Sequence, residues 1–364
     1  MKYYLIAGEA SGDLHGANLM RSILEKDHEA KFRFWGGDKM NEIVHATQVE
    51  HYKNTAFMGF VEVLKHLPKI FAFLKKCKQD ILDYQPDVVI FIDYPGFNLR
   101  LAEFVKSHNF KTVYYISPQV WAWKAKRVVK IKKFIDRMLV ILPFEKDFYK
   151  KWDYTVDFVG HPLLDEIQDK TYDFSLSSDK PIIALLPGSR KQEIATILPI
   201  FLKAEKAFPN HQFVVGGLAH IESSFYQDIL RESNVKLVIN ETYGLLQNSE
   251  AAIVASGTAT LETALFEVPM VVGYKGNFIS YHIGKYLIKV PYIALVNLIM
   301  SKKVVKELIQ NNLNEMQLTK ELKLLISGEY REEMLENFRN LKVKLGNSGA
   351  SNNAADLILS ELKN

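Results

Sequence analysis

Short apolar runs alternate with amphipathic stretches along this chain, and the whole pattern occurs twice. In the first half the strand-like runs are YYLIA, FRFWGG, DVVIFID, KTVYYIS and DRMLVIL, at 3–7, 32–37, 87–93, 111–117 and 136–142. Their nearly continuous hydrophobicity is typical of parallel strands that are buried on both faces. Helical patterns, such as 14–26 and 98–108, fill the intervals. This order predicts an α/β fold with a doubly wound parallel sheet.

The same pattern starts again after residue 165. A polar, turn-rich segment at 171–181 is followed by strand-like runs at 182–190, 211–217, 235–239, 251–257 and 269–275. A chain of 364 residues also exceeds the size at which a single core usually keeps growing. We therefore predict two Rossmann-like domains that face each other across a cleft, with ligands beyond the carboxyl ends of the strands.

Composition narrows the class of protein. Hydrophobic residues make up 48% and charged residues 24%, as in a packed globular protein, and the net charge of +4 is too small to indicate nucleic acid. The single cysteine, Cys77, is most simply a small buried apolar residue in a reducing compartment. The N-terminal segment lacks a signal-peptide pattern, and no run reaches the roughly 18 apolar residues of a membrane span. We therefore expect a cytoplasmic protein.

The first predicted strand leads into a glycine-rich loop that is unusually acidic. The segment GEASGDLHG at 8–16 contains Glu9 and Asp13, which would repel a phosphate at the start of the following helix. Such a loop suits a neutral ligand rich in hydroxyl groups. The alternative is that Ser11 and Asp13 only cap the helix. The candidate acceptor-binding residues are Ser11, Gly12, Asp13 and His15.

Asp93 ends a buried run and precedes a Pro-Gly turn. A carboxylate at the end of such a strand is placed to take a proton from an attacking hydroxyl when its pKa is suitable. The alternative is a turn-forming aspartate, which is common before proline. The position at the predicted ligand-binding edge favours a functional role.

Two loops in the second half suit an anion, in contrast to the acidic loop at 8–16. PGSR at 187–190 places Arg190 at a predicted helix start, where free N–H groups and a guanidinium suit an anion. ASGTATLE at 255–262 repeats the arrangement, with Glu262 one turn into the helix to accept from ribose hydroxyls. We therefore predict a donor nucleotide in the C-terminal half and a hydroxyl acceptor in the N-terminal half. The candidate nucleotide-binding residues are Gly188, Ser189, Ser256, Gly257, Thr258 and Glu262.

Two further stretches combine apolar and basic residues. The segment 57–78 has apolar residues on more than one helical face, which fits insertion into a membrane surface; a core helix broken at Pro68 is the alternative. The segment 120–134 holds six basic residues, two tryptophans and no acid. It suits anionic headgroups, with single-stranded nucleic acid as the rival ligand. The candidate lipid-contact residues are Phe60, Leu64, Leu67, Phe71, Trp121, Trp123, Lys124 and Arg127.

Six motifs together resemble the lipid-A-disaccharide synthase family. They are AGEASGDLHGA, IDYPGFN, SPQVWAWKAKRV, GHPLLD, LPGSRKQEI and ASGTATLE, and they extend through nearly the whole chain. The resemblance implies a GT-B fold with a membrane-facing acceptor domain at 1–165, a UDP-sugar donor domain at 166–345 and a C-terminal helix at 346–364 that packs back on the first domain. It also implies the reaction: UDP-2,3-diacylglucosamine and 2,3-diacylglucosamine 1-phosphate (lipid X) give the β-1′,6-linked lipid A disaccharide 1-phosphate and UDP.

The resemblance implies roles for individual residues. Asp93 matches the family's essential aspartate, the candidate base for the lipid X 6-hydroxyl, and Arg190 matches the arginine that steadies the leaving diphosphate. Asn297 matches a functional asparagine, and Glu307 and Gln310 match the nucleotide-binding element after it.

Two positions depart from the family pattern. Gly96 stands where many members have a second acid, which leaves Asp93 without its neighbour. Lys306 replaces a usual proline.

The family resemblance also implies an inverting enzyme that needs neither metal nor cofactor and is peripherally associated with the inner membrane. Dimers with exchanged C-terminal regions occur in the family, so a homodimer is one assembly that the resemblance allows. The ten histidines show no zinc spacing, and His15 and His161 are more simply structural. The rival enzyme is a UDP-sugar 2-epimerase, which needs no acyl chains. The rival from another class is a non-catalytic membrane or nucleic-acid binder, although we expect no nucleic-acid partner.

Overall fold

The computed structural model describes residues 1–44, 47–55, 67–167, 172, 174, 176, 180–276 and 290–363. The chain divides into two compact units, one comprising Met1–Asp165 and Asn347–Asn364, the other Glu166–Gly346. The polypeptide therefore leaves the first unit after Asp165 and returns to it at Asn347. Each unit contains a parallel β-sheet.

The first unit has the alternating order that its sequence predicts. Its strands are β1 (Lys2–Ala7), β2 (Lys31–Gly36), β3 (Gln48–His51), β4 (Val88–Ile92), β5 (Lys111–Tyr115), β6 (Arg137–Val140) and β7 (Asp157–Phe158). Its helices are α1 (Ala10–Leu24), α2 (Asp38–Ile43), α3 (Tyr52–Thr55), α4 (Leu67–Tyr84), α5 (Pro95–Ser107), α6 (Val120–Trp123), α7 (Arg127–Phe134), α8 (Glu145–Lys150) and, at the boundary, α9 (Pro162–Ile167). The sheet order is β3-β2-β1-β4-β5-β6-β7.

Strand β1 shows why these runs are apolar at every position. Tyr4 and Ile6 belong to the hydrophobic core on one face of the sheet, and Tyr3 and Leu5 belong to the core on the other face. Because β1 pairs with β2 on one side and with β4 on the other, the chain changes winding direction there. The loops after β1 and β4 therefore border a switch point, which is where open α/β sheets bind ligands.

The second unit repeats this plan. Its strands are β8 (Ile182–Leu186), β9 (Gln212–Gly217), β10 (Lys236–Ile239), β11 (Ser249–Ala255), β12 (Met270–Tyr274) and β13 (Lys306–Ile309). Its helices are α10 (Lys191–Leu202), α11 (Ser223–Leu230), α12 (Thr242–Gln247), α13 (Thr258–Leu265), α14 (Leu295–Met300), α15 (Glu315–Ile326) and α16 (Glu329–Leu345). The order is β10-β9-β8-β11-β12-β13, so the switch point lies between β8 and β11.

The last helix, α17 (Ala350–Lys363), packs in the first unit against α1. Its residues Ala354, Ala355 and Ile358 belong to the core that covers one face of the first sheet. Asp165 fixes the start of this helix, because its carboxylate accepts hydrogen bonds from the N–H groups of residues 349, 350 and 351 at 2.6 to 3.2 Å.

The predicted α/β class is confirmed, and the differences concern short elements. The sequence prediction missed β3, β7 and β13, which have four, two and four residues and carry charged side chains. Helix α4 is described from Leu67 to Tyr84 and contains Pro68. Among the helices of the described ranges, none has the length and apolar character needed to cross a bilayer.

Candidate active site

Two carboxylates meet at the switch point of the first sheet. Glu9 follows β1 and directly precedes α1, whereas Asp93 follows the neighbouring strand β4. Their carboxyl groups share a hydrogen bond, and both residues are partly withdrawn from solvent. The charge of Glu9 therefore disfavours the ionised form of Asp93.

The backbone around Asp93 is strained and firmly held. Asp93 and Tyr94 are both left-handed, with φ of 44° and 49°, a conformation that costs about 1–3 kcal/mol at each non-glycine residue. The Asp93 carbonyl accepts hydrogen bonds from the Tyr114 hydroxyl and from Asn98 Nδ2, the latter at 2.8 Å. A Cβ on Gly8 would lie 2.2 Å from the Tyr94 ring, so this loop needs glycine there. The turn thus fixes the Asp93 carboxylate at the edge of the sheet.

The electrostatics suit a general base. Burial raises the pKa of Asp93, the charge and hydrogen bond of Glu9 raise it further, and together they bring it to about 7. A base is most effective when its pKa lies near the working pH. Gly96 leaves Asp93 without the acid that many family members have at that position, but Glu9, from the loop after β1, is an acidic neighbour of Asp93.

Asp13 does not have the geometry of the acceptor-binding residue that the sequence predicts. Its buried carboxylate accepts backbone hydrogen bonds from Gly37 at 2.6 Å, Lys39 at 3.1 Å and Met40 at 3.2 Å. These N–H groups belong to the start of α2. Asp13 therefore caps a helix, as the alternative proposed, but the helix is α2 rather than its own.

Ser11 and Gly12 lie on either side of the same turn. Ser11 is exposed and its hydroxyl donates to Glu9 Oε1 at 3.1 Å, so it remains next to the carboxylate pair. Gly12 is buried, and a Cβ there would lie 3.2 Å from Cβ of Ala7 on β1. Gly12 thus serves close packing of helix on strand, and Ser11 is the better placed of the two for a ligand.

Two histidines of the first unit, His15 and His161, lie close together. Burial, and then the charge of His15, lower the pKa of His161 to about 3, so the His161 ring is neutral at physiological pH. Its Nδ1 accepts the Leu163 N–H at 3.2 Å. His15 is half-buried in α1, one turn after Ser11.

At the second sheet, Arg190 is exposed at the end of the loop that follows β8. Gly188 has φ of 110°, which favours glycine, and Arg190 directly precedes α10. Within the described residues, its guanidinium has no side-chain or backbone acceptor, so it is available to an anion. The prediction of free N–H groups fails at Ser189, whose N–H donates to Glu193 Oε2 at 3.2 Å.

The loop after β11 forms the other side of this switch point. Gly257 is extended and directly precedes α13, which Thr258 begins, and the Ser256 hydroxyl donates to the Ile293 carbonyl at 3.2 Å. Glu262 accepts a hydrogen bond from the Tyr243 hydroxyl at 2.9 Å. Burial raises the pKa of Glu262, and the Tyr243 hydrogen bond opposes the shift.

Asn297, predicted as catalytic, is fully buried and fully hydrogen-bonded. Its Nδ2 donates to the Val305 carbonyl and to Glu307 Oε1, both at 3.0 Å, while its Oδ1 accepts from the N–H groups of Val304 and Val305. An amide with no capacity left cannot contact a substrate here. The arrangement makes Asn297 a positioning residue that joins α14 to β13.

Glu307 and Gln310 hold the neighbouring loops in the same way. Glu307 Oε1 accepts from the N–H groups of Ile293 and Ala294 at 3.0 and 2.9 Å. Gln310 exchanges two hydrogen bonds with the backbone of Gly276, at 3.1 and 3.2 Å. Glu307 therefore holds the residues directly before α14, and Gln310 holds the segment just after β12. Among the described residues, no group of three or more His, Cys, Asp or Glu is arranged to hold a metal ion.

Comparison with known proteins identifies the family. The model of a family described as lipid-A-disaccharide synthetase matches residues 3–362. A lipid-A-disaccharide synthase from Trichlorobacter lovleyi is 37% identical over 98% of this chain and 96% of its own length. The chain belongs to the lipid-A-disaccharide synthase family.

Solved structures of distant relatives share the fold of this family member. A UDP-N-acetylglucosamine 2-epimerase described as putative, from Listeria monocytogenes, aligns with a TM-score of 0.70 at 12% identity, over 100% of this chain and 96% of its own. The glycotransferase of kitacinnamycin also aligns with a TM-score of 0.70, at 14% identity over 99% of both chains. At such identities the likeness concerns the GT-B fold alone.

The predicted lipid-contact residues of this family member have different environments. Phe60 and Leu64 lie outside the described residues. Leu67 is half-buried at the start of α4, and Phe71 is 61% exposed one turn later. Phe71 borders a groove of about 480 Å³ between α4 and α5. The groove is also lined by Leu74, Lys75, Lys78, Gln79, Leu82, Arg100 and Phe104.

The two tryptophans of 120–134 differ. Trp121 is half-buried and packs edge-on against Phe144, with 5.0 Å between ring centroids, so it is less suited to lipid contact than predicted. Trp123 is half-exposed, and Lys124 and Arg127 lie over its ring.

Glu9 is the functional candidate whose role the sequence reasoning missed. It was assigned only to an acidic loop. The signal that could have found it is the parallel pairing of β1 and β4, because Ala7 lies opposite Ile92 and the next residues of both strands must then be neighbours.

Proposed function

We propose that the protein transfers the diacylglucosamine unit of UDP-2,3-diacylglucosamine to the 6-hydroxyl of 2,3-diacylglucosamine 1-phosphate, with inversion and release of UDP. The observation that carries the proposal is the Glu9–Asp93 pair at the switch point of the first sheet. The family membership supplies the substrate classes, and the pair supplies the base that such a transfer needs.

The acceptor is activated at Asp93. As its 6-oxygen forms a bond to the anomeric carbon, Asp93 takes the hydroxyl proton, and the electron pair of the breaking glycosidic bond leaves with UDP. Attack from the face opposite the leaving group gives the β linkage. Ser11 and Glu9 flank the base and are the nearest groups to orient the incoming hydroxyl.

The donor is held by the second unit. Arg190 and the loop after β11 stabilise the charge that develops on the diphosphate, as preorganised cations and N–H groups do at developing anions. Glu262 retains an oxygen, Oε2, that accepts no hydrogen bond among the described residues and is available to a ribose hydroxyl. Asn297, Glu307 and Gln310 keep the neighbouring loops in place.

Contact with a membrane surface is the remaining element of the proposal, because both substrates carry acyl chains. Exposed Phe71 and the lysines of α4 combine an apolar anchor with positive charge on one helix. Anionic headgroups attract such a surface. We assign this part of α4 to the membrane face of the protein.

The test is a turnover assay on the purified chain in detergent that contains EDTA. UDP-2,3-diacylglucosamine is supplied with and without lipid X, and both UDP and disaccharide are quantified. We expect the two products in equal amounts and only when lipid X is present. The same assay on the Asp93→Asn variant is the matched control.

Other outcomes would contradict specific parts of the proposal. UDP released without lipid X, or a 2-epimer of the donor sugar, would favour the epimerase chemistry of the structural neighbours. Product formation that EDTA abolishes and Mg²⁺ restores would show that the transfer requires a metal.

A further inference from the structure

Two cations share one indole ring in the segment that follows β5. Lys124 Nζ lies 3.9 Å from the centroid of the Trp123 ring, and Arg127 Cζ lies 5.8 Å from it. The Arg127 N–H donates to the Lys124 carbonyl at 2.9 Å, which keeps the two residues within one turn. Both positive charges are therefore fixed on the same small surface.

These two charges have no carboxylate partner among the described residues. In the part of the chain that the structure describes, neither Lys124 nor Arg127 forms an ion pair, whereas Lys130 of the same stretch pairs with Glu103 at 2.9 Å. Desolvation and then the Arg127 charge lower the pKa of Lys124, and no acid opposes them. Two neighbouring cations without a counter-charge repel each other, so an anion would be bound favourably here.

The segment that carries the cation pair follows β5, the strand next to the one that Asp93 follows. Burial raises the pKa of Tyr114 well above its ordinary value, the Asp93 charge raises it further, and the nearby Arg127 guanidinium opposes both. The same Tyr114 hydroxyl donates to the Asp93 carbonyl. Strand β5, which leads into the cation segment, pairs with β4, and the Asp93 N–H donates to the Tyr115 carbonyl at 3.1 Å.

Hydrogen bonds and aromatic packing hold the segment that carries Lys124 and Arg127. Ser117, just after β5, shares a hydrogen bond with the Tyr149 hydroxyl at 2.7 Å, and buried Glu145 accepts the Leu142 N–H at 3.0 Å. Trp121 packs edge-on against an aromatic ring of the same layer. Lys124 and Arg127 therefore project from a fixed segment, as a specific binding site requires.

We propose that Lys124 and Arg127 bind the phosphate monoester of the acceptor and so present its 6-hydroxyl to Asp93. The inference rests on the proposed function. A phosphate monoester carries close to two negative charges at neutral pH and matches two unpaired cations. The same pair could instead bind the phosphate of a membrane lipid, so the experiment compares the two sources.

The test uses the full chain with Lys124→Gln and Arg127→Gln combined. The control variant, Lys126→Gln with Lys133→Gln, removes the same charge from the same stretch. Each protein is assayed with 2,3-diacylglucosamine 1-phosphate and with its analogue lacking phosphate. We expect the test variant to lose about 10- to 100-fold of its kcat/KM preference for the phosphorylated acceptor, through a higher KM. The control variant keeps the preference.

A second arm measures sedimentation with phosphatidylglycerol and phosphatidylcholine vesicles. Loss of binding to phosphatidylglycerol in the test variant alone, with acceptor preference unchanged, would assign the cations to the membrane and overturn the proposal. An unchanged preference together with unchanged vesicle binding would overturn it as well.

Direct binding separates this inference from the proposed function. Tryptophan fluorescence is titrated with glucosamine 1-phosphate and, in parallel, with glucosamine. We expect the wild type and control to bind only the phosphorylated sugar, and the test variant to bind neither, even if no transfer activity is found. Equal responses of the test variant and the wild type would contradict the inference regardless of activity.

Discussion

The two sheets have the same winding at their switch points and opposite chemistry there. In the first unit the loops after β1 and β4 bring together two carboxylates, Glu9 and Asp93, that are partly withdrawn from solvent. In the second unit the loop after β8 presents the exposed guanidinium of Arg190. Topology decides where a ligand binds, and the side chains that follow the strands decide which ligand it is.

The two sites also use burial differently. At Asp93, burial is the largest cause of the raised pKa, so withdrawal from water creates the base. At Arg190, exposure keeps a cation available without any internal partner among the described residues. Proton transfer needs a carboxylate whose pKa is shifted, whereas diphosphate binding needs a cation that has no partner within the protein. The variants below change one site at a time.

The largest expected effect is at the first switch point. Asp93→Asn removes the proton acceptor, and we expect kcat to fall by about 10²- to 10⁴-fold. The folded-state pKa of Asp93 is raised, so the stability that its protonated form contributes at low pH is lost as the pH rises through about 7. The asparagine variant should therefore be at least as heat-stable as the wild type at pH 8. A large loss of stability of this variant at pH 8 would contradict the expected effect of the raised Asp93 pKa, and its rate could then not be interpreted.

At the second switch point, Arg190→Ala removes the cation from the leaving diphosphate. We expect kcat to fall by about 10²- to 10³-fold, as when one preorganised transition-state donor is removed. Lys191→Ala is the matched control, because Lys191 is an exposed neighbouring cation that lies over the Phe225 ring. Equal losses of kcat in both variants would mean that Arg190 acts only through its positive charge and makes no specific contact with the diphosphate.

Much of the fold is predictable from the sequence, because strands buried on both faces are apolar at every position. The short strands β3, β7 and β13 carry too few apolar residues to show such a pattern. The positions of Asp93 and Arg190 at strand ends follow from the same pattern.

The hydrogen-bond partners within the sites are not predictable in this way. Asp13 binds N–H groups more than 20 residues away, and Asn297 is saturated by β13 and the two residues before it, in a strand the sequence did not reveal. Such partners depend on which loops meet in three dimensions.

A smaller effect distinguishes the two members of the carboxylate pair. Glu9→Gln removes a like charge from Asp93, so its pKa falls, although burial still holds it above its ordinary value. We expect the acidic limb of the kcat/KM profile, near pH 7 in the wild type, to move lower by roughly one pH unit. Ser11→Ala, which removes a neutral neighbour of Glu9, should leave the limb in place. An unmoved limb in Glu9→Gln would mean that Asp93 titrates independently of Glu9.

The smallest expected effect on activity concerns Asp13, which shares a loop with Glu9 and lies close to it in sequence. Asp13→Asn places an amide among three N–H donors, so at least one hydrogen bond to α2 is lost. We expect the free energy of unfolding to fall by about 1–3 kcal/mol, while kcat/KM of the folded enzyme stays within about twofold. Urea titration and turnover below the unfolding transition measure the two quantities. A variant that stays stable but binds the acceptor weakly would show that Asp13 contacts the acceptor, as the sequence predicts. The acceptor site at the first switch point would then contain three carboxylates, Glu9, Asp13 and Asp93, rather than two.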